Sequence, residues 1–200
     1  YVLISHAHAD HIGGAEMLQT RYKARVVMGG PDWDWVEKYP NRYKTMAPKR
    51  DIVATDGMKI MLGGTTVTIW LTPGHTPGTM SYTFTVLDHG KPVNVAYSGG
   101  TAFNFVNNTP DPGIKNFQTY IDSQKHMAEK AAASGATVLL SNHSEFDNAE
   151  NKNRMLAGRG KGPHPYEIGT ELVQRYFQVM QGCARAAQLR LEQKVAEGMP

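Results

Sequence analysis

The stretch Ser5-His6-Ala7-His8-Ala9-Asp10-His11, set directly behind the apolar run Tyr1-Val2-Leu3-Ile4, decides how the chain is read. A short β-forming run followed at once by polar groups reads as a buried strand that releases its last side chains into a loop. Along an extended backbone His6 and His8 point the same way, whereas Asp10 and His11 lie past the strand end and can turn toward a second point. One motif can therefore serve two neighbouring ions. Imidazoles and a carboxylate suit a divalent ion such as zinc, and no thiolate is offered here. The competing reading, a polar strand end with incidental histidines, does not account for four candidate ligands in six residues.

Outward from this motif, Ile12-Gly13-Gly14 allows a turn and Ala15-Glu16-Met17-Leu18-Gln19 reads as the helix after it. Arg25 to Met28 and Asp51 to Ala54 read as strands. The aromatics Trp33, Trp35, Tyr39 and Tyr43 between them read as a partly exposed loop or short helix at a substrate rim. Met58 to Leu62 and Thr65 to Leu71 form a hairpin about Gly63-Gly64, and Thr72-Pro73-Gly74-His75-Thr76-Pro77-Gly78 holds one histidine on a stiff loop at the strand end. Ser81 to Val86 and Val93 to Tyr97 bracket a turn in which His89 is exposed. A helix is expected over roughly 116–134, closed by Gly135. The strand Thr137 to Leu140 then presents Ser141-Asn142-His143. A polar loop with a solvated basic cluster (Lys152, Arg154, Arg159, Lys161) leads to a last helix over about 166–196, with Cys183 packed on its apolar stripe. Histidines at three strand ends can meet at one solvent-open edge of a sheet, where a catalytic metal belongs.

Two hundred residues, 40% hydrophobic and 20% charged, suit a single globular domain over 1–200. No run approaches the ~20 apolar residues of a membrane-spanning helix, and a net charge of +3 is too small and scattered for a nucleic-acid partner. A small molecule is the expected partner. Chains rarely begin inside a core strand, so residues upstream of Tyr1 are expected to belong to the domain.

Through His6-Ala7-His8-Ala9-Asp10-His11, Thr72 to Gly78 and Leu139-Leu140-Ser141-Asn142-His143, the chain resembles the metallo-β-lactamase superfamily along nearly its whole length. Gly63-Gly64-Thr65-Thr66 and Gly90-Lys91-Pro92-Val93 make it most similar to the third, all-histidine subclass of the class B β-lactamases. The resemblance implies an α/β fold, the four-layer αββα sandwich, here lacking its first strands. One sheet would then be incompletely covered until the upstream segment or another chain lies on it.

The resemblance also implies two zinc ions, one held by His6, His8 and His75, the other by Asp10, His11 and His143, with a bridging water or hydroxide as nucleophile. Asp10 is the candidate catalytic residue. Trp33, Trp35, Gly100, Thr101, Ala102 and Asn104 are the candidate substrate-binding residues. Gly100 stands where other superfamily members carry a further ligand, and Gly100 and Ala102 stand where the subclass has serines for the substrate carboxylate. Cys183 matches a subclass cysteine whose disulfide partner position holds Ala136. The expected activity is zinc-dependent opening of a cyclic amide, a β-lactamase of the antibiotic-resistance type, periplasmic or secreted. The alternatives are a lactonase or other ester hydrolase, and a zinc-binding protein without turnover; a nuclease would want a bridging aspartate at position 100 and a more basic face.

Overall fold

The computed structural model describes residues 1–43, 46–103 and 110–198. Its first half is a parallel sheet in which β1 (Val2–Leu3), β2 (Val26–Gly29) and β3 (Ile52–Ala54) lie in that order. The crossovers are helical: α1 (Ala9–Ile12) and α2 (Ala15–Tyr22), then α3 (Gly30–Lys38). The second sheet is antiparallel through β4 (Lys59–Leu62), β5 (Thr65–Leu71), β6 (Met80–Asp88) and β7 (Lys91–Ser98), with β8 (Val138–Ser141) added in parallel. Four further helices are α4 (Pro110–Ala133), α5 (Ser144–Asp147), α6 (Ala149–Ala157) and α7 (Thr170–Ala196).

Strand alternation builds the layers. Val26 and Met28 face the first helices, packing with Ile4, Ile12, Trp33 and Val36, while Val27 between them faces the other sheet against Ile69, Met80 and Tyr82. In the second sheet Ala96 and Leu139 pack beneath Met127 and Ala131 of α4 and Val173 and Phe177 of α7. Helix, sheet, sheet and helix thus stack in the expected αββα order.

Several local expectations shift. Helix α4 begins at Pro110, because proline costs nothing in a first turn whose N–H groups have no helical partner. Helix α7 starts four residues late. Glu167 bridges Val138, and the N–H groups of Ile168 and Gly169 donate to Thr137, so these residues serve the sheet before the helix begins. The polar loop after His143 is instead α5 and α6, and its basic cluster is not wholly solvated: Lys152 is buried over the Tyr166 ring, and Arg159 grips Asp88 with two hydrogen bonds. Cys183 is exposed, since the buried stripe of α7 runs through Val173, Phe177, Ala184 and Gln188.

The inner face of the second sheet is larger than the first sheet covers. Phe84, Val93, Val95, Val138, Leu140 and Tyr166 line an apolar groove of about 230 Å³ there, and Leu87 at its rim is 72% exposed.

Candidate metal centre

Three strand ends deliver the histidines to one edge. His6 and His8 leave β1, His75 follows β5, and His143 follows β8, which is where the apolar runs stop and the backbone turns. His6, His8 and His75 form one group and Asp10, His11 and His143 a second, the ligand atoms within each lying within 4.8 Å of one another. The groups adjoin: the His6 and His11 ring centroids are 4.2 Å apart. The pairing of ligands expected from the resemblance is the pairing the fold brings together.

The tautomers follow from the partners. His6 Nδ1 lies 3.0 Å from the Gly99 carbonyl oxygen and His75 Nδ1 2.5 Å from that of Ala102. A carbonyl only accepts, so each Nδ1 carries the proton and each Nε2 a lone pair. Those two Nε2 atoms nevertheless approach to 3.1 Å, and His8 Nδ1 stands 3.1 Å from the same His75 nitrogen. Bare lone pairs gathered this closely repel unless a cation lies among them. The arrangement therefore fits a metal, with backbone carbonyls fixing the ligating rings from behind.

Burial first, then the neighbouring imidazoles, lowers the His6 pKa to about 2; burial chiefly brings His75 to about 4, against the pull of its Ala102 bond. Both rings are neutral at pH 7, the form that ligates. His11 is also pushed down by burial, opposed by Asp10. In the second group His11 Nε2 is 3.1 Å from His143 Nε2 and 3.3 Å from Asp10 Oδ2, and the Asp10 side chain is 61% exposed.

One residue that the sequence reading passed over organises the first group. Asp32, only 1% exposed, accepts from Ala7 N (2.7 Å), Thr76 Oγ1 (2.7 Å) and Gly78 N (2.8 Å). Ala7 lies between His6 and His8, and Thr76 adjoins His75, so a single carboxylate pins both ligand loops. Burial pushes its carboxyl above the ordinary carboxylate range, and the three donors pull it back. The loops can meet because Gly29 lacks a side chain: a Cβ there would lie 2.1 Å from the Gly78 carbonyl oxygen. The His143 loop has its own anchor, Asp147, which accepts from Ser141 N (2.9 Å) and Ala149 N (3.0 Å).

Beside the histidines a cavity of about 390 Å³ is walled by Ala7, His8, Trp35, Arg42, Tyr43 and His75, among others. Trp35 is 42% exposed on it. Trp33 is not on the rim: two residues along a helix reverse the face, and its indole is buried in the core with Nε1 donating to Ile52 O. Gly100 has no room for a side chain, because an added Cβ would sit 2.5 Å from His75 Cβ and 2.8 Å from Thr79 Cγ2. Thr101 is buried, its hydroxyl 2.7 Å from Ser141 Oγ and 2.9 Å from Tyr176 Oη, and Ala102 serves through its carbonyl behind His75. Asn104 lies outside the described residues.

Fold and histidine groups together are similar to those of the metallo-β-lactamases. Residues 1–88, which contain five of the six clustered ligands, match the model of the metallo-beta-lactamase superfamily. The resemblance read from the motifs, to this superfamily and to its all-histidine subclass, holds. Over 84 residues the chain is 36% identical to a hydroxyacylglutathione hydrolase of Acidiphilium cryptum, covering 42% of this chain and 30% of that protein. Over 102 residues it is 32% identical to a probable polyketide biosynthesis zinc-dependent hydrolase of Bacillus velezensis, covering 51% of this chain and 38% of that protein. The chain thus spans about a third of the length of the curated relatives it matches. The fold superposes on a subclass B3 metallo-beta-lactamase of Bradyrhizobium japonicum with a TM-score of 0.79, at 26% identity over 96% of this chain and 74% of that one.

Proposed function

We propose that the chain is the catalytic part of a zinc-dependent hydrolase that opens a cyclic amide, with β-lactams as the substrate class. The observation that carries this is the convergence of imidazole lone pairs beside an open, aromatic-walled cavity. A structural zinc site is closed and commonly rich in cysteine; these donors are histidine and aspartate at the mouth of a pocket. His6, His8 and His75 would hold one zinc ion and Asp10, His11 and His143 a second. Zinc, when bound, polarises a carbonyl and makes water a nucleophile at neutral pH.

The chain's own residues supply the rest. Trp35 and Tyr43 offer apolar walls that seat and orient a ring, and the loops held by Asp32 keep the imidazoles fixed while the substrate enters. The half-exposed carboxylate of Asp10 stands where it can accept a proton from an attacking water and pass it outward to solvent. The likeness to the Bradyrhizobium β-lactamase supports the amide reading. A second reading, hydrolysis of a thioester, is favoured by the relatives named hydroxyacylglutathione hydrolases.

The deciding experiment loads the protein with zinc and offers a penicillin, a hydroxyacyl-glutathione thioester and a neutral lactone. Penicillin turnover, abolished by a chelator and restored by zinc, with two zinc ions per chain, is the expected result. Asp10→Asn should lower kcat on every accepted substrate together, by roughly a hundredfold. Thioester turnover without penicillin turnover would move the chain to the second reading, and no turnover by the loaded protein would leave a zinc-binding protein.

A further inference from the structure

We propose that Arg42 is the acid-binding residue of this pocket, and that the substrates it selects are those carrying a free carboxylate next to the bond to be broken. The proposal rests on the hydrolase reading for the bond, but on independent features for the carboxylate.

Arg42 is exposed on the wall of the cavity that His8 and His75 also line, with its guanidinium carbon 5.2 Å from the Trp35 ring centroid and 5.8 Å from that of Tyr39. The rings lie 4.5 Å apart and form a platform under the cation. Stacking of this kind holds a guanidinium in place while leaving its N–H fork free for a planar anion, which it grips with two hydrogen bonds. Other arginines near these loops are already committed: Arg25 to Asp51, and Arg50 to Asp34 and Glu37. Among the described residues, no carboxylate pairs with Arg42. The acidic residue lining the same cavity, Asp32, is buried, accepts from the ligand loops and forms no ion pair with Arg42.

Neither Gly100 nor Ala102 carries a side-chain donor, and the crowding of Gly100 against His75 leaves no space for one. A cavity of about 390 Å³ in which Arg42 stands beside Trp35 and Tyr43 and shares the lining with His8 and His75 suits a compact molecule with an acid at one end and a reactive carbonyl at the other. The carboxylate subsite therefore lies on helix α3 and the turn that follows it.

Two measurements on the folded, zinc-loaded protein test this. The first compares kcat/KM for penicillin and for its neutral methyl ester in the parent, Arg42→Gln and Arg42→Lys. The Gln variant should lose roughly tenfold or more on the acid, mainly through KM, with the ester unchanged and Lys in between. The second needs no turnover. The ring-opened penicillin, a dicarboxylate, should change tryptophan fluorescence on binding, a signal that Trp35→Phe removes, and Arg42→Gln should weaken that binding at least tenfold while leaving the thermal midpoint unchanged. Equal losses on acid and ester, or unaltered binding of the ring-opened acid, would overturn the assignment. If no substrate is turned over at all, the hydrolase reading falls, and the binding titration alone still decides the role of Arg42.

Discussion

Asp32→Ala will weaken zinc binding at the three-histidine group about a hundredfold and lower the thermal midpoint of even the metal-free protein by about 10 °C. The substitution leaves Ala7 N and Gly78 N without their acceptor, while the half-buried Thr76 Oγ1 keeps Thr79 Oγ1 as a partner. Each stranded donor costs about 1–3 kcal/mol, and about 3 kcal/mol or more in total moves the midpoint of a domain this size by several degrees. The metal effect is separate. The carboxylate joins the backbone between His6 and His8 to the residues beside His75, so its loss lets two ligand loops drift apart. Zinc titration against a chromophoric competitor should show binding at the three-histidine group weakened by about two orders of magnitude, on the scale of losses of groups that orient ligands. Asp32→Asn, which keeps the shape and one acceptor oxygen, should recover part of both effects. Unchanged zinc affinity in the alanine variant would show that each loop holds its own shape.

Gly100→Ser will abolish activity rather than create a carboxylate contact. From sequence alone, serine at 100 and 102 restores the subclass pattern and invites the opposite expectation. The geometry decides against it at position 100, because a Cβ there would press on His75 Cβ and Cγ. Those atoms are close to the main chain and cannot swing aside as a long side chain would. The imidazole must tilt away from its partners, and a loss of at least roughly a hundredfold in kcat/KM should accompany weaker zinc binding. Ala102→Ser, whose backbone carbonyl alone touches His75, should leave zinc affinity near that of the parent. A penicillin-specific gain in the Gly100→Ser variant would show that the loop behind His75 yields more easily than its packing indicates.

The six clustered ligands were legible because each follows an apolar run of strand length, so period and polarity together mark the place where a chain leaves a sheet. The grouping of Asp10 with His11 and His143, by contrast, was implied by the family resemblance and not by the strand pattern. Trp33 and Trp35 were less legible: read as one aromatic stretch they look alike, and only the helix that places them on opposite faces separates a core indole from a pocket wall. Cys183 was misjudged for a related reason, since one residue of phase on α7 exchanges it with Ala184. Asp32 did carry a signal, an acid in the first turn of a helix opened by Gly30-Pro31 directly behind a strand. What it binds depends on Gly78, 46 residues away, and on the missing side chain at Gly29. No local pattern encodes that meeting. Residues 144–157 read as loop because their polarity hides a helix whose stability comes from Asp147 and from the Lys152–Tyr166 contact rather than from an apolar face.

Among the described residues the two sheets are joined by main-chain hydrogen bonding near the candidate ligands, where Met80 N donates to Ser5 O at 2.8 Å, beside the bond from Thr76 to Asp32. At the far end, past the limit of the first sheet, the hairpin of β6 and β7 carries its apolar face into an open groove. The molecule is built like a clasp, its two sheets fastened at the histidines and its hairpin end tied by Arg159 to Asp88 instead of to the first sheet. Thermal motion that separates the layers therefore enters from the groove, and backbone amides around Ser5 and Met80 should be the last in the sandwich to exchange with solvent. Damage at the hairpin end costs the protein stability long before it disturbs the distances among the histidines.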